Sequence, residues 1–232
     1  MGNSCSMSYY AFKSQIANQY HSPTKMTRIE SNDVLSKLSY LCVYKVIRAK
    51  TNNNTALIFC HGNACTIDNT YVDFFTNLNL QYDVYLLEYP GFGEFHSQEY
   101  TTKENIRSAL HYLYTSINLQ YTQITFLGHS IGAAVVLDYL HFYKLNNPAI
   151  LLAPFMSIQM LILGNTSFMD DYVNFENIKG LSDVIIIHGE QDKVIPYNHS
   201  LGLSSKHNAK IINATHNDIF MKKEVIDVLK KI

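Results

Sequence analysis

The chain has 232 residues, with 18 basic and 19 acidic side chains, a formal net charge of −1, and 47% hydrophobic and 16% charged residues. This composition is typical of a globular domain with a full core, and the balanced charge gives no electrostatic reason to expect nucleic-acid binding. No apolar run approaches the roughly 20 residues that a membrane span requires. The four cysteines have neither zinc-site nor secreted-domain spacing: Cys5, Cys42, Cys60 and Cys65. With no signal-peptide pattern, these features favour a reducing compartment, and we expect no metal or other cofactor.

The first six residues, Met1–Ser6, match the pattern for myristoylation of Gly2, with a serine at position 6 as the pattern requires. Cys5 then lies where a palmitoyl chain could be added. A single myristoyl chain holds a protein to a membrane only marginally, so a second chain gives a stable anchor. We therefore expect a lipid anchor at the cytoplasmic face of a membrane, and the alternative is a chance match in a cytoplasmic protein.

The remainder of the N-terminal stretch is polar, tyrosine-rich and interrupted by Pro23. We interpret residues 1–39 as an acylated lead-in that precedes a single domain at residues 40–232. The domain opens with a β-rich segment at 40–48, which predicts an early strand.

Short apolar runs then alternate with segments of helical periodicity. Such runs are typical of strands that are buried on both faces of a parallel sheet. Strands are predicted at 56–60, 84–87, 124–128, 149–153, 184–187 and 210–213, and helices at 66–80, 101–117, 131–145, before 206 and at 219–232. The alternation predicts an α/β fold: a mostly parallel central sheet with helices on both faces. Residues 155–180 break the rhythm but are too few for a large lid domain.

The stretch Gly128–Gly132 has the pattern G-x-S-x-G between a predicted strand and a predicted helix. A serine at the tip of such a strand–turn–helix sits in strained backbone, and a larger residue two positions away on either side would clash with the neighbouring strand or helix. The turn also aims the backbone N–H of Ile131 at the place where an oxyanion forms. The pattern predicts that Ser130 is a nucleophile; an ordinary serine in a glycine-flanked loop is the alternative.

A serine hydroxyl needs a base, and a histidine base needs a carboxylate that sets its tautomer. Function in parallel sheets gathers in the loops that leave the carboxyl ends of the strands. Asp192 follows one predicted strand and His216 follows the last, so the order Ser130, Asp192, His216 predicts a catalytic triad. Asp183 precedes its strand and lies at the wrong end, while Asp170 and Asp171 remain the alternative acids.

The other histidines at strand exits and on the next helix have different predicted roles. His129 adjoins Ser130, and adjacent side chains point apart. His61 and His188 each precede a glycine at a strand end, which favours a structural hydrogen bond within the turn. His199 and His207 fall on the helix after Asp192, where we expect them to face solvent.

Five motifs in this order resemble the α/β-hydrolases, most of all the small α/β-hydrolase-domain serine hydrolases that include membrane-anchored protein depalmitoylases. They are His61–Ala64, Tyr89–Gly93, Gly128–Gly132, His188–Pro196 and Thr215–Asp218. The resemblance covers roughly residue 55 to the C-terminus. It implies an α/β-hydrolase fold and a second oxyanion-hole N–H from Asn63, beside that of Ile131.

These patterns predict a serine hydrolase that cleaves acyl esters or thioesters through an acyl-enzyme, with protein depalmitoylation as the activity that the resemblance implies. The short segment before the strand at 184–187 favours an open site that receives an acyl chain from a protein or a bilayer. The expected partners are therefore an acylated protein or lipid substrate and a membrane surface, with no nucleic acid. The alternatives are a lipid esterase of the monoacylglycerol-lipase type and a catalytically silent, membrane-tethered binding module.

Overall fold

The computed structural model describes residues 43–50, 54–63, 65–93, 101–164, 170–204 and 207–232. It also describes the backbone of residues 34–38. Eight strands form one sheet: β1 (Val34–Leu38), β2 (Val43–Ile47), β3 (Thr55–Cys60), β4 (Asp83–Glu88), β5 (Gln123–His129), β6 (Ala149–Leu152), β7 (Val184–Gly189) and β8 (Ala209–Ile212). Their order across the sheet is β1-β2-β4-β3-β5-β6-β7-β8.

The sheet is mostly parallel, as predicted. Strands β3 to β8 all run in one direction, while β2 pairs antiparallel with β4 and β1 antiparallel with β2. The strand Val34–Leu38 lies inside the stretch that we interpret from the sequence as a lead-in. It extends the sheet by one edge strand, so the sheet begins before residue 40.

In the described residues, seven helices connect or follow the strands: α1 (Asn69–Leu78), α2 (Lys103–Ile117), α3 (Ile131–Tyr143), α4 (Ile158–Leu163), α5 (Asn174–Asn177), α6 (Asn198–Leu203) and α7 (Lys223–Leu229). The terminal segment is split, because a 3₁₀ turn at Ile219–Met221 precedes α7. The N-cap of α2 is Thr102, whose side chain accepts from the N–H of Asn105. Thr101, where the predicted helix begins, lies outside α2 and donates its hydroxyl to the carbonyl of Pro90.

Helices cover both faces of the sheet, and the alternation of side chains along each strand produces two cores. On β3, Ile58 packs with the core that contains α2 and α3, and its neighbour Phe59 packs with the core that contains α1 and α7. Both side chains are fully buried. This double burial explains why β3 reads as an unbroken apolar run.

The segment between β6 and β7 contains only the short helices α4 and α5 and a 3₁₀ turn at Ile178–Gly180 within its described part, 153–164 and 170–183. No large lid domain is found there, in agreement with the sequence. Among the described residues, none of the helices combines the length and the apolar character needed to cross a bilayer.

Some predicted features lie outside the described residues. These are the acylation positions Gly2 and Cys5, the rest of the lead-in before residue 34, and Ala64 of the motif that begins at His61.

Candidate active site

Ser130 occupies a sharp turn between two buried elements. β5 ends at His129 and α3 begins at Ile131, and the serine between them has φ 57° and ψ −120°. A positive φ is strained for a residue with a β-carbon, and such strain persists only where the surroundings impose it. Here the N–H of Ser130 donates to the carbonyl of Leu152 at 2.9 Å, which ties the turn to β6. The strand–turn–helix geometry predicted from the sequence is therefore present.

The two glycines of the motif are required by space. A β-carbon on Gly128 would lie 2.4 Å from the carbonyl oxygen of Gly132, and a β-carbon on Gly132 would lie 2.0 Å from the carbonyl oxygen of Cys60. Real β-carbons do not approach backbone oxygens this closely. The spacing of the glycines around Ser130 thus follows from the packing of α3 against β3 and β5.

Asp192 and His216, on the loops that leave β7 and β8, are in direct contact. Nδ1 of His216 lies 2.6 Å from Oδ2 of Asp192, and both residues are more than nine-tenths buried. Oδ1 of Asp192 accepts the backbone N–H groups of Val194 and Ile195, each at 2.8 Å. Because a carboxylate accepts hydrogen bonds, Nδ1 of His216 is the donor, and Nε2 is left with the lone pair that can take a proton.

The hydrogen bonds to Asp192 keep it ionised. Burial alone would raise the pKa of this carboxyl, but donation from His188, His216 and the backbone of Ile195 outweighs burial and holds the pKa well below its usual range. A carboxylate that stays charged can stabilise an imidazolium on His216. Asp170, one of the two alternative acids, accepts the N–H of Gln159 at the start of α4.

The loop after β3 packs against the Ser130 turn. A β-carbon on Gly62 would lie 3.6 Å from the β-carbon of Ser130, so the backbone of residues 61–63 reaches the nucleophile position. His61 is fully buried, donates Nδ1–H to the carbonyl of Gly62 at 2.8 Å, and has Nε2 2.9 Å from Oε1 of Glu88. The bond to Gly62 is the structural role within the turn that the sequence favoured.

Two histidines contact the site in ways that the sequence did not indicate. His188 reaches beyond its own turn: its Nε2 lies 2.9 Å from the carbonyl of Ile195 and 3.2 Å from Oδ2 of Asp192. The spacing of four residues from Asp192 was the available signal. The Nε2 of His129 lies 3.0 Å from the backbone oxygen of His216.

The expectation that His199 and His207 face solvent is wrong, because each is only 8% exposed. Nδ1 of His199 accepts the N–H of Met156, which packs the start of the β6–β7 segment on α6. The sequence offered no signal for this contact, because α6 is too short to show a reliable apolar face.

The alpha/beta hydrolase family matches residues 57–186, which is more than half of the chain. The chain belongs to the alpha/beta hydrolase family. This hydrolase is 28% identical over 206 residues to a protein of Acanthamoeba polyphaga mimivirus described only as a candidate alpha/beta hydrolase, L404, and the match covers 78% of each chain. It is 24% identical over 201 residues to human alpha/beta hydrolase domain-containing protein 17B, covering 80% of this chain and 68% of the human one.

Solved structures share the fold at low identity. An alpha-beta serine hydrolase homologue from Coxiella burnetii superposes with a TM-score of 0.65 at 16% identity, covering 88% of this chain and 99% of that one. Est1E from Butyrivibrio proteoclasticus, solved with ferulic acid bound, superposes with a TM-score of 0.65 at 17% identity, covering 85% of this chain and 96% of that one. The resemblance to α/β-hydrolases drawn from the sequence motifs is thereby confirmed.

Proposed function

We propose that this alpha/beta hydrolase cleaves acyl esters or thioesters with Ser130 as nucleophile, His216 as general base and Asp192 as its orienting carboxylate. The observation that carries the proposal is the 2.6 Å contact between Nδ1 of His216 and Oδ2 of Asp192, together with a serine held at φ 57° in the turn after β5. The contact sets the tautomer in which Nε2 of His216 can accept the proton of the serine hydroxyl.

In the proposed reaction, Oγ of Ser130 attacks the acyl carbonyl while its proton passes to Nε2 of His216. The tetrahedral intermediate collapses, the bond to the leaving thiol or alcohol breaks, and His216 returns the proton to the leaving group. Water, deprotonated by His216, then attacks the acyl-enzyme, and the carboxylic acid leaves as Ser130 recovers its proton.

Backbone N–H groups are the proposed stabilisers of the oxyanion. The N–H of Ser130 is already used by Leu152. Ile131 is the first residue of α3, and N–H groups in the first turn of a helix have no acceptor within the helix. The N–H of Ile131 is therefore available to the substrate, and the proximity of Gly62 to Ser130 supports Asn63 as the second donor.

Exposed apolar side chains on the segments after the site strands support an acyl substrate. Such residues follow the carboxyl ends of β6, β7 and β8, and each is at least 39% exposed: Ile162, Leu163, Val194, Tyr197, Leu201 and Met221. An acyl chain gains about 0.8 kcal/mol for each methylene that it buries. A long acyl chain thus suits this edge of the sheet better than a small polar ester.

Protein depalmitoylation is the specific activity that we propose, with attachment to a cytoplasmic membrane face through Gly2 and Cys5. A lipid anchor would hold the enzyme where acylated proteins are found. The proposed anchor rests on the sequence of Met1–Ser6 alone.

The purified enzyme should first be offered a fluorophosphonate probe, which labels an activated serine, and then a palmitoyl-cysteine peptide and a monoacylglycerol at equal concentrations. Labelling with faster turnover of the thioester supports the proposal. Labelling with faster turnover of the monoacylglycerol identifies a lipid esterase, and a chain that is neither labelled nor active is a binding module.

A further inference from the structure

The imidazole of His129 contacts the loop of the proposed base and the loop after β3, and its residue is joined directly to Ser130. His129 is the last residue of β5, is 4% exposed, and immediately precedes Ser130. Its Nε2 lies 3.0 Å from the backbone oxygen of His216, and the two rings have centroids 4.9 Å apart. A β-carbon on Gly62 would lie 3.2 Å from its Nδ1. One buried ring thus lies between the nucleophile turn, the base loop and the oxyanion loop.

The hydrogen-bond partners define the protonation of this ring. Nε2 faces a carbonyl oxygen, which only accepts, so Nε2 carries the hydrogen. Nδ1 is buried and has no hydrogen-bond partner among the described residues, so it keeps its lone pair. Burial, reinforced by the neighbouring His216, lowers the pKa of His129 to about 3. His129 therefore stays neutral at physiological pH and does not compete with His216 for the serine proton.

The sheet alone couples the nucleophile and the base only indirectly. β5, which leads to Ser130, and β8, which leads to His216, are separated in the sheet by β6 and β7. Three strand spacings of about 4.8 Å place these strands roughly 14 Å apart. The two loops must therefore bend toward each other, and a displacement of one loop by about 1 Å can reduce turnover about 100-fold.

The bond from His129 bridges this separation directly. Asp192, on the loop after β7, holds Nδ1 of the His216 side chain. The backbone carbonyl of His216 is held by His129, the residue of β5 that precedes Ser130 in the chain. The base is thus held at two points, and one of them moves with the nucleophile.

We propose that His129 is a positioning residue, whose Nε2–H···O bond to the backbone of His216 sets the distance between the base loop and the Ser130 turn. The inference rests on the proposed roles of Ser130 and His216. It predicts that loss of the donor slows the chemical step without weakening substrate binding.

Three variants test this role: His129→Phe, which keeps a ring but removes the donor; His129→Gln, whose amide N–H can still donate; and His111→Phe as a control. His111 stacks on Tyr143 and hydrogen-bonds Tyr139. It lies on α2, away from the site. We would measure kcat and KM on a soluble acyl thioester, together with the folded fraction by circular dichroism at the assay temperature.

We expect His129→Phe to lower kcat about 10- to 100-fold per folded molecule, with KM unchanged. His129→Gln should recover most of that loss, and His111→Phe should behave like the wild type. Should His129→Phe fail to fold, His129→Leu takes its place, since leucine is smaller than phenylalanine and also lacks a donor.

A wild-type kcat in folded His129→Phe or His129→Leu would overturn the inference. A kcat of His129→Gln as low as that of His129→Phe would overturn it as well. A merely structural role predicts lower melting temperatures with unchanged kcat per folded molecule. A wild-type enzyme that reacts with neither fluorophosphonate nor thioester would instead refute the proposed function.

Discussion

His188 hydrogen-bonds the same carboxylate oxygen of Asp192 that holds His216. Its Nε2 lies 3.2 Å from Oδ2 of Asp192, and its Nδ1 accepts the hydroxyl of Ser200 at 2.6 Å. The His188 side chain is fully buried, and both of its ring nitrogens have hydrogen-bond partners within the protein. His188 therefore helps to keep the pKa of Asp192 low, and it is a second imidazole next to the predicted triad.

Replacing His188 by phenylalanine should reduce stability in a pH-dependent way. A carboxyl whose pKa is lowered by folding adds stability above its ordinary value of 3.8, and this stability is lost as the pH falls below that value. Without the His188 donor, the pKa of Asp192 should rise toward 3.8. The stability gap between wild type and His188→Phe should therefore be largest near neutral pH and narrow in acid.

Urea unfolding between about pH 6 and pH 2 measures this stability gap, since denaturant midpoints report the free energy of unfolding and the wild-type carboxylate is protonated only well below pH 3.8. Ser200→Ala is the matched control, because it removes a partner of His188 without removing a donor to Asp192. The difference in free energy of unfolding between wild type and Ser200→Ala should stay constant over the same pH range. A His188→Phe gap that is equally constant would show that His188 does not affect the pKa of Asp192.

Ser130→Ala should abolish fluorophosphonate labelling and lower turnover by at least about 10³-fold, because no other hydroxyl replaces the nucleophile. The fold should persist, since the strained turn is imposed by Gly128, Gly132 and the bond to Leu152. Ser116→Ala, on the exposed face of α2, is the control and should label like the wild type. Persistent labelling of Ser130→Ala would place the nucleophile elsewhere.

Asp192→Asn should lower kcat by about 10⁴-fold, because an amide in place of the carboxylate can favour the wrong tautomer of His216. Asp170→Asn is the comparison, since Asp170 was an alternative acid and bonds the backbone of Gln159. We expect it to keep wild-type turnover on a soluble thioester. Greater damage from Asp170→Asn than from Asp192→Asn would contradict the assignment of the acid.

Gly132→Ala should destabilise the protein by about 2–3 kcal/mol or prevent folding, as is typical of overpacking against backbone. A β-carbon there would lie 2.0 Å from the carbonyl oxygen of Cys60. Gly180→Ala is the control, because a β-carbon at position 180 meets no atom within 4 Å. Urea midpoints should separate the two variants clearly, and equal midpoints would show that α3 can move away from β3 at no cost.

Gly2→Ala should release the protein from membranes, because the first acyl chain requires the terminal glycine. Cys5→Ser should leave a form with one chain that partitions between membrane and cytosol, since each buried methylene adds about 0.8 kcal/mol. Fractionation of cells that express each variant measures the distribution, and turnover of a soluble thioester should be unchanged in both. Sedimentation of Gly2→Ala with membranes, as for the wild type, would contradict the proposed anchor.

Local patterns in the sequence were sufficient to predict most of the fold. β3 and β6 are short apolar runs because both of their faces are buried, and such runs identify strands without knowledge of their neighbours. The Ser130 turn was equally predictable, because the spacing of Gly128 and Gly132 reflects steric limits within a few residues of the serine. The edge strand Val34–Leu38 was missed, because Ser36 and Lys37 interrupt its short apolar pattern and its pairing with β2 is not visible in the sequence.

The contacts that orient the site were decided by the tertiary structure. His129 and the His216 backbone are 87 positions apart in the sequence, and they meet because the loops after β5 and β8 leave the same end of the sheet and bend toward each other across β6 and β7. His199 is buried for the same reason, since residue 156 packs on α6 from a distant part of the chain. The sequence by itself determined the strands, helices and tight turns, because these depend on neighbouring residues. The long-range partners of the buried imidazoles of His129, His199 and His216 depend instead on which loops the completed sheet places side by side.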